Sequence, residues 1–329
     1  MRLVQPVNTL LLDANDPADL LRAAELLAAG QLVAVPTETV YGLAADARNP
    51  QAVAGIFAAK GRPSSHPLIT HLAGVDEVGR WAQHVPPWVD GLLRTLWPGP
   101  LTVLLEKQAW VPEVITGGLP SIGLRMPAHP VLLRLMQDTG LALAAPSANR
   151  YQKLSPTTAA QVLDGLDGRI AAVLDGGPCR VGTESTILLA EQRGARILRA
   201  GPIGAAQLQA LLPFEVQTPE VHGYAVPGNQ ELHYQPEAGL FIKPAGEILE
   251  LLQGRCGDIG CLAHSPEFGK LHSPNLLVLP ADHHCYRREL YASLHRLDRM
   301  QFRQIWVEQP PADPDWLDIR DRLGRAAVK

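Results

Sequence analysis

A mixed α/β fold of the α+β type, in two domains of unequal size, is what the sequence predicts, and three observations predict it. Short apolar runs alternate with amphipathic stretches, but without the strict rhythm of a doubly wound sheet, so a twisted mixed sheet covered by helices is expected. Residues 213–236 are interrupted by Pro at 213, 219, 227 and 236 and Gly at 223 and 228, a longer span than a plain connection needs. At 329 residues the chain exceeds what one ordinary core serves. The expected division is a first domain over 1–212, a linker over 213–236 and a smaller α/β domain over 237–329.

The elements follow in order. Asp16-Pro17 predicts a helix start, with Asp16 as cap, Pro17 in the first turn and Gly30 as the stop. Gln31 to Val35 reads as a short buried strand ended by Pro36. Asn49-Pro50 opens a second helix whose Val53, Ile56 and Phe57 fall at i, i+3 and i+4, closed by Gly61 just after Lys60. Strands are expected at 68–72, 101–105, 122–124, 141–145, 170–174 and 185–189, with a helix at 131–138. Ser155-Pro156-Thr157-Thr158 reads as a further helix start with Ser155 as cap. Beyond the linker, strands at 239–242, 276–279 and 305–307 alternate with helices at 246–253, near 287–299 and at 316–327.

Composition excludes several classes. A net charge of −4 opposes a protein that grips nucleic acid by bulk charge, though not one with a local basic pocket. Four cysteines give no disulfide framework. Gln5 and Asn8 interrupt the opening apolar stretch, so no signal peptide is expected, and no run reaches the length of a membrane helix. A cytoplasmic setting is the expectation. Phosphate loops of the Gly-x-x-x-x-Gly-Lys-Ser/Thr type, Gly-x-Gly-x-x-Gly turns and nucleophile elbows are absent. Among Cys256, Cys261, His264, His283, His284 and Cys285, the first two have four residues between them, as a zinc knuckle allows, but Cys285 has no paired Cys nearby; buried thiols and surface histidines are the reading, and no metal site is expected.

Several segments could carry chemistry. Pro36-Thr37-Glu38-Thr39-Val40-Tyr41-Gly42-Leu43 sets hydroxyls and a Gly at a strand's end, as either a ligand loop or an ordinary polar turn. Lys60-Gly61-Arg62-Pro63, with His66 and His71 behind it, places a point charge and a bidentate fork where a helix stops, a compact grip for polyphosphate. In Ser121-Ile122-Gly123-Leu124-Arg125 the arginine either pairs with a protein carboxylate or receives an anionic ligand. Ala145-Pro146-Ser147-Ala148-Asn149 supplies short hydrogen-bonding groups at another strand end, and Ser155 marks a helix N-terminus suited to phosphate. Thr183-Glu184-Ser185-Thr186 and Arg199-Ala200-Gly201 complete the set.

Taken in order, PTETVYGL, KGRP, GLRMPAHP, APSAN, SPTTA, ESTI and ILRAGPI resemble the YrdC-type threonylcarbamoyl-AMP synthase family over about residues 10–210. The segment from Pro227-Gly228 to His233-Tyr234-Gln235-Pro236, with the α/β unit after it, resembles that family's long, two-domain form. The resemblance implies a three-layer YrdC-like domain and a smaller Rossmann-like C-terminal domain. It implies formation of L-threonylcarbamoyladenylate and pyrophosphate from L-threonine, bicarbonate or CO2, and ATP. Downstream tRNA threonylcarbamoyl transferase machinery would consume the product to modify the adenosine beside the anticodon.

Residue by residue, the resemblance gives threonine to Thr39, His71, Arg125, Ala145 and Ser185, with Thr37 lining the same pocket. It gives ATP to Lys60, Arg62, His66, Ser121, Ser147, Asn149, Ser155, Arg199 and Tyr234, and makes Lys60 and Arg62 the catalytic cations. Mg²⁺ is expected to travel with ATP, and no tightly bound cofactor is expected. The linker around Tyr234 would act as a lid. Two departures stand out: His66 replaces a smaller polar residue, and Asn229-Gln230-Glu231-Leu232 carries no cation where the family is Lys-rich. Other readings are a carbamoyl-adenylate-dependent carbamoyltransferase and a non-catalytic double-stranded RNA-binding regulator, with weak RNA binding left open. No membrane partner is expected.

Overall fold

The computed structural model describes residues 8–218, 223–228, 232–254 and 256–328. Gln5, Pro219 and the cation-free Asn229, Gln230 and Glu231, all used in the sequence reading, lie outside the described residues. Two compact units emerge. The first comprises residues 1–151, 156–179 and 184–229. The second comprises residues 152–155, 180–183 and 230–329. Short excursions at 152–155 and 180–183 therefore leave the first unit for the second.

The first unit is a mixed α/β fold. Its strands are β1 (Leu10–Asp13), β2 (Val33–Val35), β3 (Gly42–Asp46), β4 (Ile69–His71), β5 (Leu101–Glu106), β6 (Ser121–Arg125), β7 (Leu143–Ala144), β8 (Ala172–Asp175), β9 (Thr186–Glu191), β10 (Gly194–Arg199) and β11 (Val216–Gln217). Among the described residues they form one sheet in the order β1-β8-β2-β3-β7-β4-β6-β5-β9-β10-β11. Pairs such as β4 with β6 and β5 with β9 are parallel, whereas β2–β3 and β5–β6 are antiparallel.

Alternation along the strands gives the sheet two covered faces. Ala34, Leu43, Ala45 and Val173 join one core with Val53 and Ile56 of α2 (Pro50–Lys60) and Val162 of the helix at Ala159–Leu166. Val33, Val35, Ala44 and Leu174 join another with Ala23 and Leu27 of α1 (Pro17–Ala28) and Leu132 and Met136 of the helix at Pro130–Thr139. Helix, sheet and helix make three layers.

The caps of α1 and α2 follow from their sequences. Asp16 accepts a hydrogen bond from the Ala18 N–H, and Asn49 accepts from Gln51 and Ala52. Gly61 ends α2 in the left-handed region, at φ 67°, where a side chain would be strained. A correction concerns Ser155. The helix that follows starts at Ala159, and its cap is Thr158, whose side chain accepts from the Gln161 N–H. Thr157 spends its own N–H and hydroxyl on the Gln161 side chain, and the Pro156 carbonyl receives the Tyr41 N–H. The 155–157 segment is thereby held outside the helix, so Ser155 offers no helix N-terminus to phosphate.

The second unit is a four-stranded parallel sheet among the described residues, ordered β12-β15-β13-β14. Its strands are β12 (Gly239–Lys243), β13 (Ile259–Ala263), β14 (Leu276–Val278) and β15 (Gln304–Glu308). Helices at Ala245–Gln253, His283–Arg299 and Leu317–Ala326 accompany them. Tyr286, Tyr291 and Trp316 are buried, as core aromatics should be, while Phe302 and Trp306 are only half-buried. No helix among the described residues is long and apolar enough to cross a membrane.

Candidate active site

Register gathers the site in the first unit. On β6, Ile122 and Leu124 enter the helix-covered core, so Ser121, Gly123 and Arg125 point to the other face. The same parity puts Ile69 and His71 of β4, Thr102 and Leu104 of β5, and Ile187 of β9 on that face. Pairing sets His71 beside Arg125, Ile69 beside Gly123 and Thr102 beside Ile187. A Cβ at Gly123 would be tight against the Thr102 methyl, at 3.3 Å, and in ordinary contact with Ile69, at 3.5 Å, so the two neighbouring strands pack closely over it.

The Thr37–Thr39 loop forms one wall. The Thr37 hydroxyl donates to the Val40 carbonyl at 2.6 Å and accepts the N–H groups of Thr39 and Val40. The two threonine hydroxyls lie 2.9 Å apart, so the turn sets Thr39 directly beside Thr37. The loop is tied to the 145–149 segment by Leu43 N–H to Pro146 O at 2.7 Å and Ala148 N–H to Tyr41 O at 2.8 Å. Ala145 is buried and donates its N–H to the Ile69 carbonyl.

Arg125 and Glu38 form a buried ion pair, Nη2 to Oε1 2.6 Å, with both side chains 5% exposed. Arg125 Nε also donates to the Gly99 carbonyl at 3.3 Å. Of the two roles its sequence position allowed, pairing with a protein carboxylate is the one the structure shows. His71 is buried beside it; burial first, and the Arg125 charge second, push its pKa down to about 3, so the imidazole is neutral at ordinary pH. Its Nδ1 has no hydrogen-bond partner among the described residues. Cys179 lies within the influence of Glu38 and Arg125, but burial pushes its thiol up to about 12, which removes it as a nucleophile.

Ser185 is fully buried, with its hydroxyl 2.7 Å from that of Thr102 and 3.0 Å from Nη2 of Arg199. Arg199 donates further to the Ser185 carbonyl, from Nε at 3.0 Å and Nη2 at 2.8 Å, and from Nη1 to the Pro227 carbonyl at 2.8 Å. Val226 packs with Ile69, Leu104, Ile187, Leu189 and Leu198. Ala225–Pro227 covers a narrow hollow lined by Thr102, Ser121, Gly123 and Ile187.

A second corner holds the cations. Lys60 is buried at the end of α2, and its ammonium donates to the carbonyls of Ser147 and Asn149, each at 2.5 Å, and to Asn149 Oδ1 at 3.3 Å. Burial, and then Arg62, hold its pKa well below the ordinary lysine value. Arg62 Nη2 donates to the Pro67 carbonyl at 2.9 Å. His66, half-buried, lies 5.7 Å from the Tyr151 ring, its pKa lowered by burial and then by Arg62.

Thr37, Thr39, Lys60, Arg62, His66, His71, Ser121, Arg125, Ala145, Ser147, Asn149, Ser185 and Arg199 therefore all belong to the first unit. Ser155 and Tyr234 belong to the second. There the Ser155 carbonyl lies 3.3 Å from His295 Nε2, and Tyr234, 1% exposed, stacks 5.9 Å from Tyr291 beneath the Arg322 guanidinium. Glu38 and Thr102 are site residues that sequence reasoning missed. The available signals were slight: an acid between two threonines, and one hydroxyl in an apolar strand.

Comparison with known proteins follows from this geometry. A family model described as telomere recombination, for the Sua5–YciO–YrdC group, matches residues 25–201, and one described as threonylcarbamoyl-AMP synthase, C-terminal domain, matches residues 203–328. The threonylcarbamoyl-AMP synthase of Bacillus subtilis is 43% identical, over 96% of this chain and 94% of its own length. The crystal structure of P. abyssi Sua5 complexed with L-threonine superposes with a TM-score of 0.88 at 31% identity, covering 97% of each chain. E. coli YciO, at 18% identity and a TM-score of 0.53 over 59% of this chain and 96% of its own, shares the fold alone.

Proposed function

The chain belongs to the threonylcarbamoyl-AMP synthase family in its two-domain form, and from that premise we propose how its first unit makes L-threonylcarbamoyladenylate. The reaction joins L-threonine, bicarbonate or CO2, and ATP, and releases pyrophosphate. The observation that carries the residue assignment is the single sheet face that aligns Arg125, His71, Thr102 and Ser121 opposite the Thr37–Thr39 loop.

Arg125 receives the threonine carboxylate, exchanging Glu38 for it. Thr39, with Thr37 behind it, Ser185 and the backbone at Ala145 hold the remaining polar groups. The neutral imidazole of His71 offers a hydrogen bond without adding a second positive charge beside Arg125. Lys60, Arg62, Ser147 and Asn149 form the triphosphate corner, joined by His66, Ser121 and Arg199. Lys60 fixes the 147–149 loop through its carbonyls, so the triphosphate has to share or displace those bonds.

The amine attacks the carbon of bicarbonate and water leaves, giving a carbamate, and a carbamate oxygen attacks the α-phosphorus of ATP. Positioning and charge stabilisation carry such a step. Among the described residues no group of three His, Cys, Asp or Glu is placed to hold a metal. Mg²⁺ would accompany ATP as part of the substrate and supply charge neutralisation at the triphosphate, beside Lys60 and Arg62. Ser155 and Tyr234 complete the ATP assignment, with the linker as a cover that keeps water from the carbamate and the mixed anhydride. The product passes to a tRNA threonylcarbamoyl transferase in the cytoplasm.

Pyrophosphate release measured with ATP and bicarbonate, with and without L-threonine, tests the reading. Release is expected to require threonine and to fall by about a hundredfold or more in Arg62→Ala and in Arg125→Ala. Threonine-independent release would overturn it. Tyr234→Phe, which keeps the buried ring and removes only the hydroxyl, is expected to leave the fold intact and slow product formation; unchanged turnover would remove that hydroxyl from the ATP assignment.

A further inference from the structure

The mechanism leaves one proton without an acceptor. At neutral pH threonine arrives as an ammonium, and nitrogen cannot attack carbon until that proton leaves. Beside Arg125 lies a carboxylate the reaction has not yet used. Glu38 is 4% exposed, and neither of its oxygens makes a hydrogen bond among the described residues. Its contact is the 2.6 Å approach of Arg125 Nη2, which is not aligned as a hydrogen bond. A buried carboxylate has about four acceptor positions and is costly to leave so poorly served. Among the described residues, the charged and titratable groups tied to it are Arg125 from β6 and the protonated Cys179 thiol after β8, with neutral His71 of β4 beside Arg125. The Tyr41 hydroxyl is engaged elsewhere, with the Gly177 carbonyl and Asp175. Arg125 and Glu38 thus set one cation beside one anion, the complement of a zwitterionic amino acid.

We propose that Glu38 is a catalytic residue: it receives the ammonium of bound threonine and takes the proton that frees the amine for carbamate formation. This rests on the functional reading above. When the threonine carboxylate claims Arg125, Glu38 loses its counter-charge and faces the ammonium. The proton moves from nitrogen to a Glu38 oxygen, leaving a neutral amine and a neutral carboxylic acid. The amine attacks the carbon of bicarbonate; an N–C bond forms, a C–O bond breaks, and water leaves, giving the carbamate with unchanged total charge. Attack of a carbamate oxygen on the α-phosphorus expels pyrophosphate, and Glu38 returns its proton to solvent when the product departs.

Glu38→Gln, which keeps the shape but cannot take the proton, provides the test. Two readouts are needed: binding of L-threonine and of 2,3-dihydroxybutanoate, whose hydroxyl replaces the amine, and threonine-dependent pyrophosphate release from about pH 7 to about pH 9. The proposal expects the variant to lose threonine affinity but keep dihydroxybutanoate affinity, which also shows an intact pocket. It expects turnover to fall by about 10²-fold or more at neutral pH and to recover by about tenfold per pH unit as free amine accumulates. Wild-type turnover in the variant would overturn it. So would equal loss of affinity for both ligands with a pH-independent loss of rate, which would make Glu38 only a positioning partner of Arg125. A wild-type protein that neither binds threonine nor releases pyrophosphate with it would instead overturn the functional reading and this inference together.

Discussion

Each unit buries an arginine against a carboxylate, and the two pairs differ in how completely they are satisfied. In the second unit Arg287 grips Asp318 with a two-pronged fork, Nε to Oδ2 at 2.7 Å and Nη2 to Oδ1 at 3.1 Å. The Thr183 hydroxyl adds a third bond to Asp318 at 3.1 Å, and the Asp315 carbonyl accepts from Arg287 at 3.4 Å. In the first unit Arg125 meets Glu38 at one close but misaligned point. Burial is similar, so desolvation does not separate them. A saturated pair holds architecture, because every polar atom already has its return for leaving water. A pair with unused acceptors retains the capacity to bind.

The sharpest way to break that comparison is to remove a carboxylate from each. Asp318→Ala strands Arg287 and should cost about 3–5 kcal/mol of stability, read by denaturant unfolding. Glu38→Gln should cost less, because Arg125 keeps the Gly99 carbonyl and a neutral acceptor, and L-threonine should raise the melting temperature of the wild-type protein more than that of the variant. Equal losses would erase the distinction between a structural and a ligand-ready pair.

His71 sharpens the picture of the ligand-ready side. Its pKa falls from 6.5 to about 3 on folding, so below about pH 6.5 the unfolded chain binds a proton that the native state refuses. Stability contributed by the neutral imidazole is present above 6.5 and is lost as pH falls toward 3, at up to about 1.4 kcal/mol per pH unit. His71→Gln should flatten this limb in melting curves taken across that range. An unchanged slope would show that His71 is charged beside Arg125. The smallest effect concerns the misplaced helix start: Thr158→Ala should cost about 1 kcal/mol by loss of a cap. Ser155→Ala should leave the helix at Ala159–Leu166 unaffected in hydrogen exchange.

Much of the architecture was legible because its determinants are local. Asp16-Pro17 and Asn49-Pro50 announce α1 and α2, whose caps bond only two or three residues on. Alternation in Ser121–Arg125 already separates Ile122 and Leu124, which enter the helix-covered core, from Ser121, Gly123 and Arg125 on the other face. β3 escaped notice because Leu43, Ala44 and Ala45 are buried on both faces and show no alternation. Ser155 misled because Ser-Pro-Thr-Thr contains two helix starts, and only the bonds of Thr157 to Gln161 select the later one. Glu38 and Thr102 were passed over because their burial is produced by chain segments far away.

By itself, then, the sequence determined which polar groups stand at which strand ends, and with them the chemistry available: cations, hydroxyls and amides suited to a nucleotide and an amino acid. Tertiary structure decided what those groups do to one another. It bent Lys60 onto carbonyls 87 and 89 residues away, chose Glu38 as the partner of Arg125, and set Tyr234 among the buried aromatics of the second unit. The physical reason is range. Caps, turns and alternation depend on neighbours within a few residues. The satisfaction of a buried charge depends on whichever distant segment closes over it.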